Sequence, residues 1–482
     1  MTAAPSAELL ADLASRLGPR GFTRDPREMA PWLDDWRGRY HGAAAAMLSP
    51  QSTAEVAEIV RSCAAAKVAL VPQGGNTSMV GGATPGPAGD SILLSLRRMN
   101  RIRSISAASN SAVCEAGVIL SNLHDASAEI GRRFPLSLAA KGSATIGGLV
   151  STNAGGTQVL RFGTMRGLVQ GLEAVLPDGS VFDGLAPLKK DNRGYDLRQL
   201  LIGAEGTLGV VTAASLRLVP AVARRCVAWI GLATPQQALA LLRLLERVTG
   251  DAVESFELMP KSALDLVLTH IEGSRAPLVE GHAWQVLVEA TAPDADADLE
   301  GRVEAALEQA FAERLIEDAA IASNETQAES FWRLRESIPE AERIAGPTAK
   351  HDVSVAVDAM PDFMVGAAAA VERRFPGTSV LAFGHLGDGN VHFNVRGPEG
   401  AGPGWITEAA PAVTSFVHDR VTAAGGSISA EHGIGQARLA ELARLADPVR
   451  LNVLRAIKQA LDPSGIMNPG KLVPLAEAPS GS

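Results

Sequence analysis

Two histidines seven positions apart, and a Glu-His pair further along, carry the chemistry the chain offers most plainly. They stand in Phe383-Gly-His385-Leu-Gly-Asp-Gly-Asn390-Val-His392-Phe-Asn394 and in Ser427-Ile-Ser-Ala-Glu431-His432-Gly433. Asp388-Gly389 is a hairpin signal, because a type I′ turn needs positive φ at both central residues. A two-residue turn there sets His385 directly opposite His392, with Cβ atoms about 4.5–5.5 Å apart, so that both imidazoles can share a metal. Asn394, two positions beyond His392, falls on the same face. Two imidazoles and the Glu431 carboxylate leave open positions on an ion such as zinc, which is the catalytic pattern rather than the closed structural one. Glu431 and His432 would face opposite sides of a regular strand. Both can serve one site only if the strand has ended, and Gly433 and Gly435 favour that. The remaining histidines (His41, His124, His270, His282, His351 and His418) lack such context and read as structural.

The elements that position these groups must come from a large chain. At 482 residues, 46% hydrophobic and 20% charged, it has material for more than one core. A net charge of −9 argues against nucleic acid or an anionic membrane as a main partner. Cys63, Cys114 and Cys226 have no paired spacing and read as reduced core thiols, which implies a reducing, cytoplasmic compartment. Glu8 and Asp12 among Leu9, Leu10, Leu13 and Leu17 make the N-terminus an amphipathic helix rather than a signal segment. No stretch is long and charge-free enough to span a bilayer.

Along the chain, a helical arm to about residue 45 precedes a capping box, Ser52-Thr-Ala-Glu55, and a helix with Val56, Ile59, Val60 and Cys63 on one face. Strand Val68–Val71 runs into Pro72-Gln-Gly74-Gly75-Asn76-Thr77-Ser78 and on to Gly82. Such a loop can cradle a phosphate with backbone N–H groups. It has neither the Rossmann nor the P-loop spacing. A second glycine block spans Lys141–Gly156, continuing to Gly163, and a third spans Leu201–Thr212. Three such loops, each beside a strand signal, suggest one elongated ligand threaded between backbones, with glycine where the ligand comes close. From about residue 222 strands alternate with helices on a separate sheet, which marks a second α+β domain. A helix over 326–338 with Phe331, Leu334 and Ile338 on its apolar side should stop before Pro339.

Taken together, Pro72–Gly82, Lys141–Gly156, Leu201–Thr212, Phe383–Asn394, Ala430–Gly435 and Asn468-Pro-Gly-Lys471 resemble the vanillyl-alcohol-oxidase/PCMH flavoproteins, in their D-2-hydroxyacid dehydrogenase branch. The resemblance implies an α+β fold: a PCMH-type FAD-binding domain over 46–221 and a substrate- and metal-binding domain over 222–474. The last segment, about 454–474, would return to the flavin, leaving 475–482 as a disordered tail. It implies FAD contacts from Pro72, Gly74, Gly75, Asn76, Thr77, Ser78, Gly82, Ser143, Gly147, Asn153, Gly155, Gly163, Glu205, Gly206, Gly209, Val210 and Asn468. No His or Cys occurs in 72–82 or 141–163, so the FAD should be non-covalent.

The implied reaction is oxidation of a D-2-hydroxy acid, of D-2-hydroxyglutarate or D-malate type, to the 2-oxo acid by hydride transfer to flavin. Zn2+, or Mn2+ or another divalent ion, would sit on His385, His392 and Glu431. His432 would take the hydroxyl proton, Arg335 and Lys350 would meet substrate carboxylate, and Asn394 would hydrogen-bond the substrate. Relatives carry Thr where this chain has Pro339, which removes a donor and leaves the length of the acid open. Ser78 stands where relatives carry Gly. The implied acceptor is an electron-transfer flavoprotein or quinone-linked carrier, and a homodimer stays open. A D-lactate dehydrogenase or glycolate-oxidising flavin subunit is the alternative. From another class, a non-catalytic electron-relay subunit would have no use for the histidine set.

Overall fold

Two separate cores form where apolar helix faces meet short strands, and the chain divides between them. In the computed structural model, which describes residues 2–475, one unit comprises the chain to residue 156, 163–221 and the chain from 431 onward. The other comprises 157–162 and 222–430. The expected tail from 476 on lies outside the described residues.

In the first unit a four-stranded sheet has the order Phe22–Thr23, Ala46–Leu48, Ser91–Ser95, Ala69–Gln73. Helix Thr53–Ala66 buries Val56, Ile59, Val60 and Cys63 in the same core. Its start is fixed by Ser52, whose side chain accepts from Glu55 N, and the Glu55 carboxylate reaches back to Gln51 N at 2.8 Å. The N-terminal arm adds Leu10 and Leu13 to that core from helix Ala7–Gly21, which breaks at Gly18-Pro19. A five-stranded antiparallel sheet follows, in the order Ile102–Ser106, Ser111–Glu115, Val210–Arg217, Val169–Val175, Val181–Gly184. The C-terminal segment closes the unit. After helix Pro448–Leu461, Ile466 and Met467 enter the first core, and Asn468 N donates to Leu70 O. Buried Lys458 holds this return: its three donors go to Asp462 at 2.5 Å and to the carbonyls of Thr207 and Met467 at 2.8 Å.

The second unit is built on a seven-stranded antiparallel sheet, in the order Asp318–Ile321, Arg224–Leu232, Trp284–Ala292, Val253–Pro260, Ser379–His385, Asn390–Arg396, Thr348–Ser354. Side chains alternate between its faces. Val353, Val391, Phe393, Val395, Ala382 and Phe256 point into a core shared with helices Pro235–Thr249, Leu299–Ala312, Met360–Arg374 and Ala410–Ala423. Trp229, Leu287, Met259 and Phe383 point the other way, against helices Lys261–His270, Glu325–Glu336 and Ile338–Ala345. Helix Glu325–Glu336 ends as expected before Pro339, but a second helix, Ile338–Ala345, follows at once, with Pro339 in its first turn. There the missing N–H costs nothing, because first-turn N–H groups have no intrahelical partner.

The histidine hairpin differs from its expected register. His392 lies opposite Phe383, and His385 opposite Asn390. The loop has four residues rather than two, because Asp388 N and Gly389 N both turn back to His385 O while the Asp388 carboxylate caps Asn390 N. Leu386, fully buried in the core, must be reached before the chain can turn. The change of register is two positions, so no side chain changes face. Among the described residues no helix is long and apolar enough to cross a membrane.

Candidate active site

In the first unit the loop after strand Ala69–Gln73 has the makings of an anion cradle. Among the described residues no acceptor pairs with the N–H groups of Gly74, Gly75, Asn76 or Thr77. Asn76 adopts φ 54°, a left-handed conformation that Asn tolerates, and its side chain is tied down by Asp34 O at 2.9 Å and by Gln73. Ser78 tightens the exit: its hydroxyl accepts from Gly82 N at 3.1 Å.

Several glycines here serve chain-to-chain approach rather than ligand approach. A Cβ at Gly74 would stand 2.2 Å from Thr145 Oγ1, one at Gly75 1.9 Å from Ser143 O, and one at Gly147 2.6 Å from Ala116 Cβ. Packing of one glycine block on the next is thus what the glycines permit. Gly206 likewise lies against the Pro72 ring, whereas Gly163, at φ 75°, faces open space. Val210 begins a strand with its side chain in the core, so only its main chain can meet a ligand. Gly155 is buried, and Gly209 borders strand Val210–Arg217.

Asn153 caps helix Ile146–Thr152 in the left-handed region, and its side-chain oxygen accepts from Arg166 N and the Thr164 hydroxyl. Asn468 donates to the carbonyls of Gly82 and Glu205 at 2.9 and 2.7 Å. Its Oδ1, like Thr145 Oγ1, is buried without a protein partner among the described residues. Unpaired N–H groups beside two buried, unsatisfied oxygens fit a cofactor with a pyrophosphate and hydrogen-bonding groups. FAD is such a molecule.

Glu205 is used differently from the cofactor contact expected of it. Its buried carboxylate accepts from Ile434 N and Gly435 N, each at 2.7 Å. Burial pushes its pKa up, and the two N–H groups only partly offset that. The segment it holds follows Glu431 and His432. Past the bridge between Ser427 and Ser354 the chain runs in bends, so neither residue lies on a strand; Gly433 and Gly435 have φ 79° and 51°. Both residues belong to the first unit, and His385 and His392 belong to the second.

In the second unit, strand pairing collects polar groups on one face of the sheet. Glu257 pairs with His385, Asp352 with His392, and Lys350 with Asn394. The His385 and His392 rings lie 5.3 Å apart, nearly perpendicular. Glu257, fully buried, bonds His385 Nδ1 at 2.5 Å and Arg335 Nε at 2.7 Å. Burial alone would raise its pKa, but the charges of Arg335 and His385 outweigh that and hold the carboxyl well below the usual range. A carboxylate only accepts, so His385 Nδ1 carries the proton of this bond, and in the neutral ring the lone pair is on Nε2, as in a metal-ligating histidine. Two imidazoles on one sheet face are donors of the type a divalent ion takes.

Arg335 lies across the Phe383 ring at 4.9 Å, and among the described residues only its Nε is engaged, which leaves its two terminal amino groups as a fork. Lys350 Nζ reaches Pro339 O at 3.3 Å and the Glu342 carboxylate at 3.5 Å. Glu342 also accepts from Asn394 Nδ2 at 2.8 Å. Pro339 has no side-chain hydroxyl, yet its carbonyl anchors Lys350.

Glu257 and Glu342 are among the residues that the amino-acid sequence alone did not single out. A signal existed for each. Glu257 stands between Phe256 and Leu258 in a buried strand, and Glu342 occupies a position on the inner face of its helix with Ile338 and Ala341. Charged residues are almost never fully buried unless paired.

Comparison with known proteins agrees with this chemistry. Residues 44–184 match the FAD binding domain, and residues 222–472 match the C-terminal domain of FAD linked oxidases. The chain is 40% identical to the mitochondrial D-2-hydroxyglutarate dehydrogenase of Bos taurus, over 96% of this chain and 83% of that one. It is 38% identical to the mitochondrial enzyme of that name from Arabidopsis thaliana (95% and 80% covered). With the D-2-hydroxyglutarate dehydrogenase of Xanthomonas citri pv. viticola it shares 36% identity, over 95% of each chain. Among solved structures it is similar to p-cresol methylhydroxylase, with a TM-score of 0.74 at 16% identity over 98% of both chains, which speaks to the fold. The fold is a PCMH-type FAD-binding domain joined to an FAD-linked-oxidase C-terminal domain, and the chain belongs to the FAD-linked oxidase family as an FAD-dependent dehydrogenase.

Proposed function

We propose that the chain oxidises a D-2-hydroxy acid, of D-2-hydroxyglutarate or D-malate type, to the 2-oxo acid, with FAD bound non-covalently and a divalent metal on His385, His392 and Glu431. The observation that supports this reading is the buried Glu257, which bonds both His385 Nδ1 and Arg335 Nε. The names of the relatives support the acid class. FAD, when bound, accepts the two electrons of the oxidation, and a metal supplies Lewis acidity at the hydroxyl oxygen. The chain's own residues do the rest. Arg335 offers a planar fork to a carboxylate, Asn394 offers an amide to the substrate, and His432 takes the hydroxyl proton as general base. Electrons then leave to a protein or quinone-linked carrier.

The test is turnover with an artificial electron acceptor on matched D- and L-2-hydroxy acids. Activity confined to D-acids supports the proposal, and equal activity on both enantiomers, or none, refutes it. Acid precipitation checks the flavin linkage: FAD should stay in the supernatant.

A further inference from the structure

The side chains expected to receive substrate in the second unit carry their own countercharges. Arg335 is matched by Glu257, and Lys350 by Glu342. The two acids differ in what they do. Glu257 ties a guanidinium to a histidine and leaves the guanidinium fork open. Glu342 occupies the ammonium of Lys350 and the amide of Asn394 with the same oxygen, Oε2.

Glu342 is only 4% exposed, on a helix face where its neighbours are Ile338 and Ala341. An apolar side chain would satisfy that face. A buried carboxylate is costly to keep even when paired, so its retention needs a reason beyond packing. Its position supplies one. A substrate carboxylate approaching Lys350 must either displace Glu342 or share one ammonium with it, and two carboxylates on one ammonium repel each other.

We propose that Glu342 is a specificity-determining residue, which reduces the advantage of a distal carboxylate over an uncharged chain of the same length in the 2-hydroxy acid. The inference rests on the proposed oxidation of D-2-hydroxy acids, and it deepens that reading by naming the group that selects among them. Pro339 acts in the same direction, since its carbonyl takes up another of the Lys350 donors.

The matched substrates are D-2-hydroxyglutarate and D-2-hydroxyvalerate, two five-carbon acids that differ in having a carboxylate or a methyl group at the far end. In Glu342→Gln the amide oxygen still accepts from Asn394, while the charge is gone. The ratio of kcat/KM for the diacid over the monoacid should rise by about tenfold or more, the worth of one charge-assisted bond. Lys350→Met added to Glu342→Gln should cancel that rise. A purely structural role for Glu342 would change flavin content and melting temperature but leave the ratio alone. An unchanged ratio in a folded, flavin-loaded Glu342→Gln protein overturns the inference, as does a shift toward the monoacid. If Glu342→Gln does not fold, Glu342→Met, which fills the volume without charge, takes its place with the same expected outcome. Failure of the underlying reading looks different: the wild-type protein then oxidises neither acid, and the inference falls with it.

Discussion

At the scale of single residues, the account turns on buried carboxylates. Glu257 faces both a guanidinium and an imidazole, and its depressed pKa makes a signed prediction. A carboxyl held below its ordinary value of 4.5 contributes stability that is complete above that value and lost as the pH falls through the folded-state value. The wild-type protein should therefore melt at a higher temperature than Glu257→Gln at neutral pH, and the gap should close only below about pH 4.5. A gap independent of pH from 7 down to 3 would contradict the pairing. The same variant should bind divalent metal roughly 10–100-fold more weakly, by metal titration, because an uncharged amide raises the basicity of His385 less than a carboxylate does. His432→Ala separates proton transfer from metal binding. It should keep metal and FAD and lose activity by roughly 10²–10⁴-fold, the range of a general base; reduction at the wild-type rate would remove His432 from that role.

At the scale of elements, the hairpin shows what was legible in the sequence and what was not. Alternation along Phe383–Asn394 put both histidines and Asn394 on one face, and a register change of two positions could not disturb that. Loop length was not legible. Asp-Gly favours a two-residue turn, yet anchoring of Leu386 in the core stretches the loop to four. Glu257 and Asp352 were invisible as partners because strand order, not sequence proximity, brings them beside the histidines. The glycine blocks were legible as a ligand-binding region, but the tightest glycines turn out to seat one loop on another, as Gly75 does on Ser143. Glu205 belongs at this scale too, since it clamps residues 434 and 435 through their N–H groups. Glu205→Ala leaves the buried Gly435 N–H and the half-buried Ile434 N–H unpaired, at about 1–3 kcal/mol for the buried one, partly offset by relief of a buried charge. Urea unfolding should show a loss of about 1–3 kcal/mol. An unchanged midpoint would mean that the segment is held by other contacts.

At the scale of the whole molecule, two cores with different duties share one chain. The first unit supplies backbone donors and unsatisfied oxygens suited to a dinucleotide, and the C-terminal return through Lys458 and Asn468 completes it. The second supplies a sheet face with two imidazoles, a guanidinium fork and an amide. Neither set alone performs an oxidation. All three cysteines, Cys63, Cys114 and Cys226, are buried, and burial pushes their thiols up to about 12, so none competes as nucleophile or redox group. Anaerobic flavin absorbance after addition of D-2-hydroxy acids, with and without EDTA, decides whether acid, flavin and metal act together. The account predicts rapid bleaching by a D-acid, abolished by EDTA and restored by Zn2+ or Mn2+. Bleaching that proceeds unchanged in EDTA would contradict the metal's part in activating the hydroxyl, and no bleaching by any D-acid would contradict the account as a whole.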